Sequence, residues 1–216
     1  MDLAGIPKRA WRARIIEAYQ EVSGNDTIPS NQYMFTLGGP ATEDDSELDY
    51  YTNRRKFLTK RQYVSVERDV GVHRKNKSIK GPTWLYGDMG RQFEIWYDEL
   101  PVTKDVAIVS ADLMSGIDVA LPTIRSILST MWDNHDDEGA PALLVFNVMQ
   151  ANRWRANQGG TFGNVWEAIQ KDSLVRLCSH RRACRLNLVD RFEYHNKTIG
   201  TGQRCSTLST LMYSFR

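Results

Sequence analysis

Glycine-containing or acidic segments follow the apolar runs of this 216-residue chain. Gly38 and Gly39 follow the first run, and Glu67 follows the second. Glycines allow the backbone to approach a ligand closely, and a carboxylate accepts hydrogen bonds from the two hydroxyls of a ribose. Asp88 and Asp112 follow the third and fourth runs, and a carboxylate at Asp88 suits an adenine amino group. These residue types indicate a site for a nucleoside-containing ligand.

Each of these residues also has a purely structural interpretation. Gly38-Gly39-Pro40 is typical of a tight turn that ends a strand. Glu67 lies among arginines in the sequence and suits a surface ion pair, which contributes little free energy. Asp88 and Asp112 suit helix or turn caps, because a short carboxylate accepts hydrogen bonds from free backbone N–H groups. The sequence leaves both interpretations open.

Charge is segregated along the chain, although the net charge is only +2. Residues 54–80 hold ten Lys or Arg against two acids, and residues 151–216 hold eleven against four. Residues 85–140, between these blocks, hold three bases against eleven acids. If the two basic blocks share a face, they form a footprint for a polyanion such as nucleic acid. The alternative is that they are solvated helix faces, as charge runs usually are.

An aromatic residue between two bases follows the fifth apolar run. Trp154 suits stacking on a nucleic-acid base, while Arg153 and Arg155 suit contacts with phosphate. These three residues are therefore the predicted substrate-binding group. The alternative is that Trp154 anchors a loop.

Helical and strand-like periodicities alternate along the chain, and these elements must position the candidate residues. An amphipathic helix is predicted over about 8–23. Further helices are predicted over 46–59, 91–100, 120–132 and about 165–177. The predicted strands are Tyr33–Leu37, Gln62–Val66, Thr83–Tyr86, Val106–Ser110, Leu143–Phe146, Leu186–Tyr194 and Thr207–Phe215.

This alternation predicts an α/β fold, because parallel strands need crossover connections that helices supply. We expect a doubly wound, mostly parallel sheet with helices on both faces and a C-terminal antiparallel hairpin. No linker or repeat divides the chain, so residues 1–216 are predicted to form a single Rossmann-like domain. The ligand crevice of such a sheet lies beyond the carboxyl ends of its strands.

This layout resembles the class I S-adenosylmethionine-dependent methyltransferases, whose seven-stranded sheet ends in an antiparallel hairpin. The resemblance covers roughly residues 30–216 and rests on the order of strands and helices more than on individual residue identities. The segment Ala111-Asp112-Leu113-Met114-Ser115-Gly116 is also similar to the Asp-containing fourth motif of RNA ribose 2′-O-methyltransferases.

The resemblance implies S-adenosylmethionine as the cofactor and gives each segment a role. It implies that Gly38 and Gly39 form the methionine-binding turn, that Glu67 binds the ribose and that Asp88 lies beside the adenine. Asp112 lies beside the methyl group or the acceptor and is the implied catalytic residue, which removes a proton or orients the acceptor. The implied cofactor contacts are Gly38, Gly39, Pro40, Glu67, Arg68, Asp88, Met89, Asp112 and Leu113.

The sequence also departs from these families. The first turn has no acidic residue before its glycines and lacks G-x-G spacing. No lysine occurs from Arg125 to Gln170, where 2′-O-methyltransferases place one, and the Asn/Asp-Pro-Pro-aromatic motif is absent. The prediction is methyl transfer, with a nucleic acid, RNA in particular, as the acceptor. The alternatives are an inactive methyltransferase-like binding or assembly subunit and, less favoured, a nicotinamide-dependent enzyme, since no G-x-G-x-x-G follows the first strand.

Composition excludes several other classes. No apolar stretch approaches the roughly 18 residues of a membrane-spanning helix, and the basic N-terminal segment lacks the apolar run of a signal peptide. The odd number of cysteines, Cys178, Cys184 and Cys205, favours buried thiols in a reducing, intracellular setting over disulfides. With His180 they match no strong zinc pattern, so no metal is predicted.

Overall fold

The computed structural model describes residues 5–42, 45–134, 141–149, 186–196 and 206–215, together with Ile169 and Asp172. Four predictions lie wholly or largely outside these residues: the helix at about 165–177, the Arg153-Trp154-Arg155 group, the environment of the three cysteines and the basic block 151–216, of whose eleven bases only Arg191 is described.

Seven strands form one mixed sheet in the order β3-β2-β1-β4-β5-β7-β6. Their bounds are Gln32–Leu37 (β1), Tyr63–Glu67 (β2), Thr83–Tyr86 (β3), Asp105–Gly116 (β4), Ala142–Met149 (β5), Leu186–Asn196 (β6) and Ser206–Phe215 (β7). Strands β1 to β5 pair in parallel, whereas β7 pairs antiparallel with both β5 and β6. The predicted mostly parallel sheet with a C-terminal antiparallel hairpin is confirmed.

Helices pack on both faces of this sheet and divide the core in two. The described helices are Gly5–Ser23 (α1), Glu47–Asp49 (α2), Val70–Asn76 (α3), Met89–Asp98 (α4) and Ile117–Asn134 (α5); α2 continues to Arg54 as a π-helical turn. The apolar faces of α4 and α5 bury Phe93 and Ile124 against Phe35 and Val109 of the sheet. On the other face, Ile15 of α1 and Tyr51 pack against Met34, Ile108 and Leu143.

Several boundaries differ from the predictions. The helix predicted over 46–59 ends at Arg54, and Lys56 has a φ of 51°, a left-handed backbone that no helix continues through. Helix α3 was not predicted; it begins where Asp69 accepts hydrogen bonds from the backbone N–H groups of Gly71 and Val72. Strands β4 and β5 run beyond Asp112 and Asn147, so these residues lie within strands rather than after them.

Among the residues that the structure describes, no helix has the combination of length and apolar composition needed to cross a membrane.

Candidate functional site

The strand order changes direction between β1 and β4, which makes their junction the topological switch point of the sheet. Thr36 near the end of β1 pairs with Ser110 of β4, two residues before Asp112. On the other side of β1, strand β2 ends at Glu67 and β3 ends at Tyr86, just before Asp88. The structure therefore brings the turn after β1 and all three predicted carboxylates to one edge of the sheet.

The two glycines after β1 have different surroundings. A Cβ on Gly38 would lie 2.3 Å from the Ser65 Oγ and 3.1 Å from the Tyr63 hydroxyl, both on β2. Internal packing alone therefore requires a glycine at position 38. Gly39 is exposed, and a Cβ there would meet nothing within 4 Å. Of the two, Gly39 is the one whose backbone a ligand can approach.

The loop after β1 is held by Asn76, the last residue of α3. Its side chain is fully buried. Its Nδ2 donates to the Gly39 carbonyl at 3.2 Å, and its Oδ1 accepts from the Ala41 N–H at 2.9 Å. One side chain thus satisfies a carbonyl and an N–H of a loop that has no strand partner. Asn76 carries no sequence motif, and only its distant partners reveal this role.

The carboxylate of Glu67 is half-buried at the end of β2. One of its oxygens accepts from the Asp69 N–H at 2.9 Å, and its backbone carbonyl accepts from the Gly87 N–H at 3.1 Å, which ties the ends of β2 and β3 together. No described residue donates to its other carboxylate oxygen, and it forms no ion pair within the described chain. That oxygen is available to a ligand hydroxyl.

Asp88 is committed to structural contacts through both oxygens. Its Oδ1 accepts from the N–H groups of Gly90 and Arg91 and so caps α4. Its Oδ2 forms an ion pair with Arg68. Met89, the next residue, is fully buried in the core. The structure therefore supports the capping interpretation of Asp88 and gives Met89 a packing role.

Asp112 is half-buried and belongs to a chain of three side chains across neighbouring strands. Asn147 of β5 donates from Nδ2 to Asp112 Oδ1 at 2.8 Å. Thr210 of β7 donates to Asn147 Oδ1 at 3.1 Å. Burial raises the pKa of Asp112, while the hydrogen bond from Asn147 and the charges of Lys8 and Arg12 oppose the rise. The other Asp112 oxygen accepts no hydrogen bond from a described residue.

Comparison with solved structures agrees with this topology. The chain matches the plantazolicin methyltransferase BamL, crystallised with a triazolic desmethylPZN analog and SAH, at a TM-score of 0.53 and 9% identity. The match covers 99% of this chain and 86% of that one. The chain has the class I methyltransferase fold.

Two further solved structures match this chain at lower TM-scores. One is M. jannaschii TYW2 in complex with AdoMet, at a TM-score of 0.48 and 10% identity over 100% of this chain and 78% of that one. The other is a LepI variant in complex with SAH and a substrate analogue, at a TM-score of 0.44 and 13% identity. That match covers 91% of this chain and 46% of the LepI chain. No family model matches the sequence. No curated protein matches it either.

A second carboxyl, which sequence reasoning did not single out, lies at the switch point of this methyltransferase fold. Thr36 Oγ1 donates to Glu47 Oε1 at 3.0 Å, and Glu47 is half-buried at the start of α2. Burial raises the pKa of Glu47 to about 7; Arg12, Thr36 and Lys8 oppose the rise, and the charge of Asp112 adds to it. In the sequence, Glu47 is one member of the acidic run 43–49, and nothing local distinguishes it from its neighbours.

Proposed function

We propose that this chain binds S-adenosylmethionine at the carboxyl ends of β1 and β2 and transfers its methyl group to an acceptor. The observation that carries the proposal is the convergence of Gly39, Glu67 and Asp112 on one sheet edge, around the switch point of a class I methyltransferase fold. Ligands of open α/β sheets bind at this position.

The residues at this edge fit the chemical groups of that cofactor. The free oxygen of Glu67 suits the ribose hydroxyls, and the exposed backbone at Gly39 suits the close approach of the methionine portion. Pro40 beside it is exposed, as is Arg68. Asp88 and Met89 contribute less than the sequence predicts, because the first is a helix cap in an ion pair and the second is core.

Bound S-adenosylmethionine supplies an electrophilic methyl group, so the protein has to align the acceptor and handle its proton. Asp112 suits this role because it is half-buried and one of its oxygens accepts no hydrogen bond from the described part of the chain. Its neighbour Leu113 is packed against the core. Asn147 and Thr210 hold its other oxygen in place across three strands. A carboxylate fixed in this way can orient an acceptor hydroxyl or amine.

The acceptor class that the surface favours is nucleic acid, and RNA in particular. All ten bases of residues 54–80 are exposed, and eight of them form no ion pair with a described residue. Tyr86 lies beside this block, is 53% exposed and packs against His73 with ring centroids 5.5 Å apart. Exposed cations beside an exposed aromatic ring suit a single-stranded polyanion.

Calorimetric titration tests the cofactor. We expect S-adenosylmethionine and S-adenosylhomocysteine to bind and NAD not to bind. Glu67→Gln should weaken binding about tenfold, because one charged hydrogen-bond acceptor is worth about 1.4 kcal/mol or more. Glu94→Gln, an exposed carboxyl on α4, is the matched control and should bind as the wild type does. If saturating S-adenosylmethionine gives neither heat nor a rise in melting temperature, the cofactor proposal is wrong.

A second candidate function is a binding or assembly subunit that has the fold without the reaction. It is favoured by the first turn, which lacks G-x-G spacing and whose Gly38 is explained by packing against Ser65. Salt-dependent RNA binding together with absent S-adenosylmethionine binding would select this function over methyl transfer.

A further inference from the structure

The Glu47 carboxyl lies where the chain enters α2, directly over the end of β1. Ser46 caps this turn, since its hydroxyl accepts from the Asp49 N–H at 3.2 Å. Glu47 then contacts Thr36, whose strand partner Ser110 lies two residues before Asp112. This placement puts two carboxyls, one from α2 and one from β4, at the same junction of β1 and β4.

Two buried hydroxyls near the junction of β1 and β4 have no hydrogen-bond partner among the described residues. The Tyr51 hydroxyl is fully buried and has no hydrogen bond to any described residue. It lies close enough to Glu47 for that charge to raise the pKa of Tyr51, after the larger effect of burial. The Ser110 hydroxyl on β4 is likewise fully buried and without a partner in the described chain. Buried polar groups of this kind normally bind water or a ligand.

The charged groups that face Glu47 come from every element around it. Arg12 and Lys8 of α1 favour its ionised form, and Asp112 of β4 disfavours it. Tyr51 and Tyr63 present neutral hydroxyls, because burial raises the pKa of both well above the usual value. Arg12 is itself engaged, since its Nη1 donates to the Asp45 carbonyl at 2.8 Å. Burial is the largest of these effects and raises the pKa of Glu47 to about 7.

We propose that Glu47, rather than Asp112 alone, is the proton acceptor of the reaction. This inference rests on the proposed function. The lone pair of the acceptor oxygen or nitrogen forms a bond to the methyl carbon, and the carbon–sulfur bond breaks with its electron pair passing to sulfur. The proton that the acceptor loses passes to the ionised Glu47 carboxylate, at the oxygen that accepts no hydrogen bond from a described residue, so charge and atoms balance. Asp112, held by Asn147, orients the acceptor.

Proton release on cofactor binding tests this role without any acceptor. A positive sulfonium beside Glu47 would lower its pKa, so binding of S-adenosylmethionine at pH 7 should release roughly 0.3 to 0.5 of a proton. S-adenosylhomocysteine has an uncharged sulfur and should release close to none. Calorimetry in two buffers of different ionisation enthalpy measures this number. Glu47→Gln should abolish the release and keep the affinity for S-adenosylhomocysteine within about threefold, and Glu94→Gln should behave as the wild type.

Carbon-13 spectra of glutamate carboxyls provide a second readout that needs no ligand. We expect one carboxyl to titrate near pH 7, to disappear in Glu47→Gln, and to titrate at lower pH in Asp112→Asn, which removes a neighbouring negative charge. A Glu47 that supports the fold at a distance from the bound sulfonium would leave the proton release unchanged in Glu47→Gln.

The outcomes separate the two proposals. Cofactor binding with equal proton release in wild type and Glu47→Gln would overturn the Glu47 role and leave methyl transfer standing. Absence of cofactor binding would overturn both. With total RNA as the probe, methyl transfer by Glu47→Gln should fall at least a hundredfold and lose its rise between pH 6 and 8; a rate within threefold of the wild type would contradict the inference.

Discussion

Replacing Glu47 by Gln should change how stability depends on pH, because it removes a carboxyl that the fold keeps from ionising. In the folded protein this carboxyl has a pKa of about 7, against an ordinary value of 4.5. Between these values the folded state binds more protons at this site than the unfolded chain does. The contribution of Glu47 to the free energy of unfolding is therefore most favourable below about pH 4.5 and falls as the pH rises to about 7.

The magnitude follows from the size of this difference. At about 1.36 kcal/mol per pH unit, the change from 4.5 to about 7 corresponds to about 3 kcal/mol. Glu47 is half-buried, so solvent screening reduces this upper bound, and we expect about 1 to 3 kcal/mol. Glutamine retains an oxygen that accepts from Thr36 but carries no charge. The Glu47→Gln variant should thus gain about 1 to 3 kcal/mol relative to wild type between pH 5 and pH 8.

Urea unfolding at pH 5, 6, 7 and 8 measures this gain, with Glu94→Gln as the exposed control. The stability difference between Glu47→Gln and wild type should grow with pH, while the control difference stays constant within about 0.5 kcal/mol. A Glu47→Gln difference that is equally constant would refute the reasoning, because it would mean that Glu47 ionises alike in the folded and unfolded states.

Other substitutions test the remaining parts of the site. Gly38→Ala should lower the free energy of unfolding by about 1 to 3 kcal/mol, because its Cβ would collide with β2, whereas Gly39→Ala should change it by less than about 0.5 kcal/mol; urea unfolding that ranks them equally would contradict this. Asn147→Ala should lower the free energy of unfolding by about 1 to 3 kcal/mol and raise the pKa of Asp112 further, because it removes a donor to that carboxyl. Carbon-13 titration of Asp112 checks the pKa change, and an unchanged titration would count against it. Reversing Arg74 and Lys75 to Glu should weaken RNA binding and reduce its logarithmic salt dependence by about 1 to 2; fluorescence anisotropy at several salt concentrations would show an unaltered slope if this surface does not bind RNA.

Sequence periodicity was sufficient for the architecture because the patterns that encode strands and helices are local. The run Leu143–Phe146 is wholly apolar, and it forms the middle of β5 with helices on both faces of the sheet. The hairpin of β6 and β7 was predictable from two alternating segments joined by a glycine-containing connection. The sequence also indicated helix capping as one role of Asp88, because the N–H groups that it binds belong to residues only two and three positions away.

The chemistry of the site depends on contacts that no local pattern encodes. Gly38 was predicted to contact the ligand. A glycine is needed there because a Cβ would collide with Ser65 of the neighbouring strand. Asn76 and Ala41 are 35 residues apart, so their hydrogen bond exists only once α3 has packed beside the first turn.

Glu47 shows most clearly which properties the sequence determines and which depend on the tertiary structure. The amino-acid sequence alone determined an α/β sheet whose carboxyl edge carries glycines and acids, because strand alternation and turn residues act over a few positions. Only the tertiary structure decided that the pKa of Glu47 is raised. Burial and the charge of Asp112 raise the pKa of one glutamate of an acidic run to about 7, against the opposing effects of Arg12, Thr36 and Lys8. Desolvation and charge coupling depend on distance in space, which the order of residues specifies only through the completed fold.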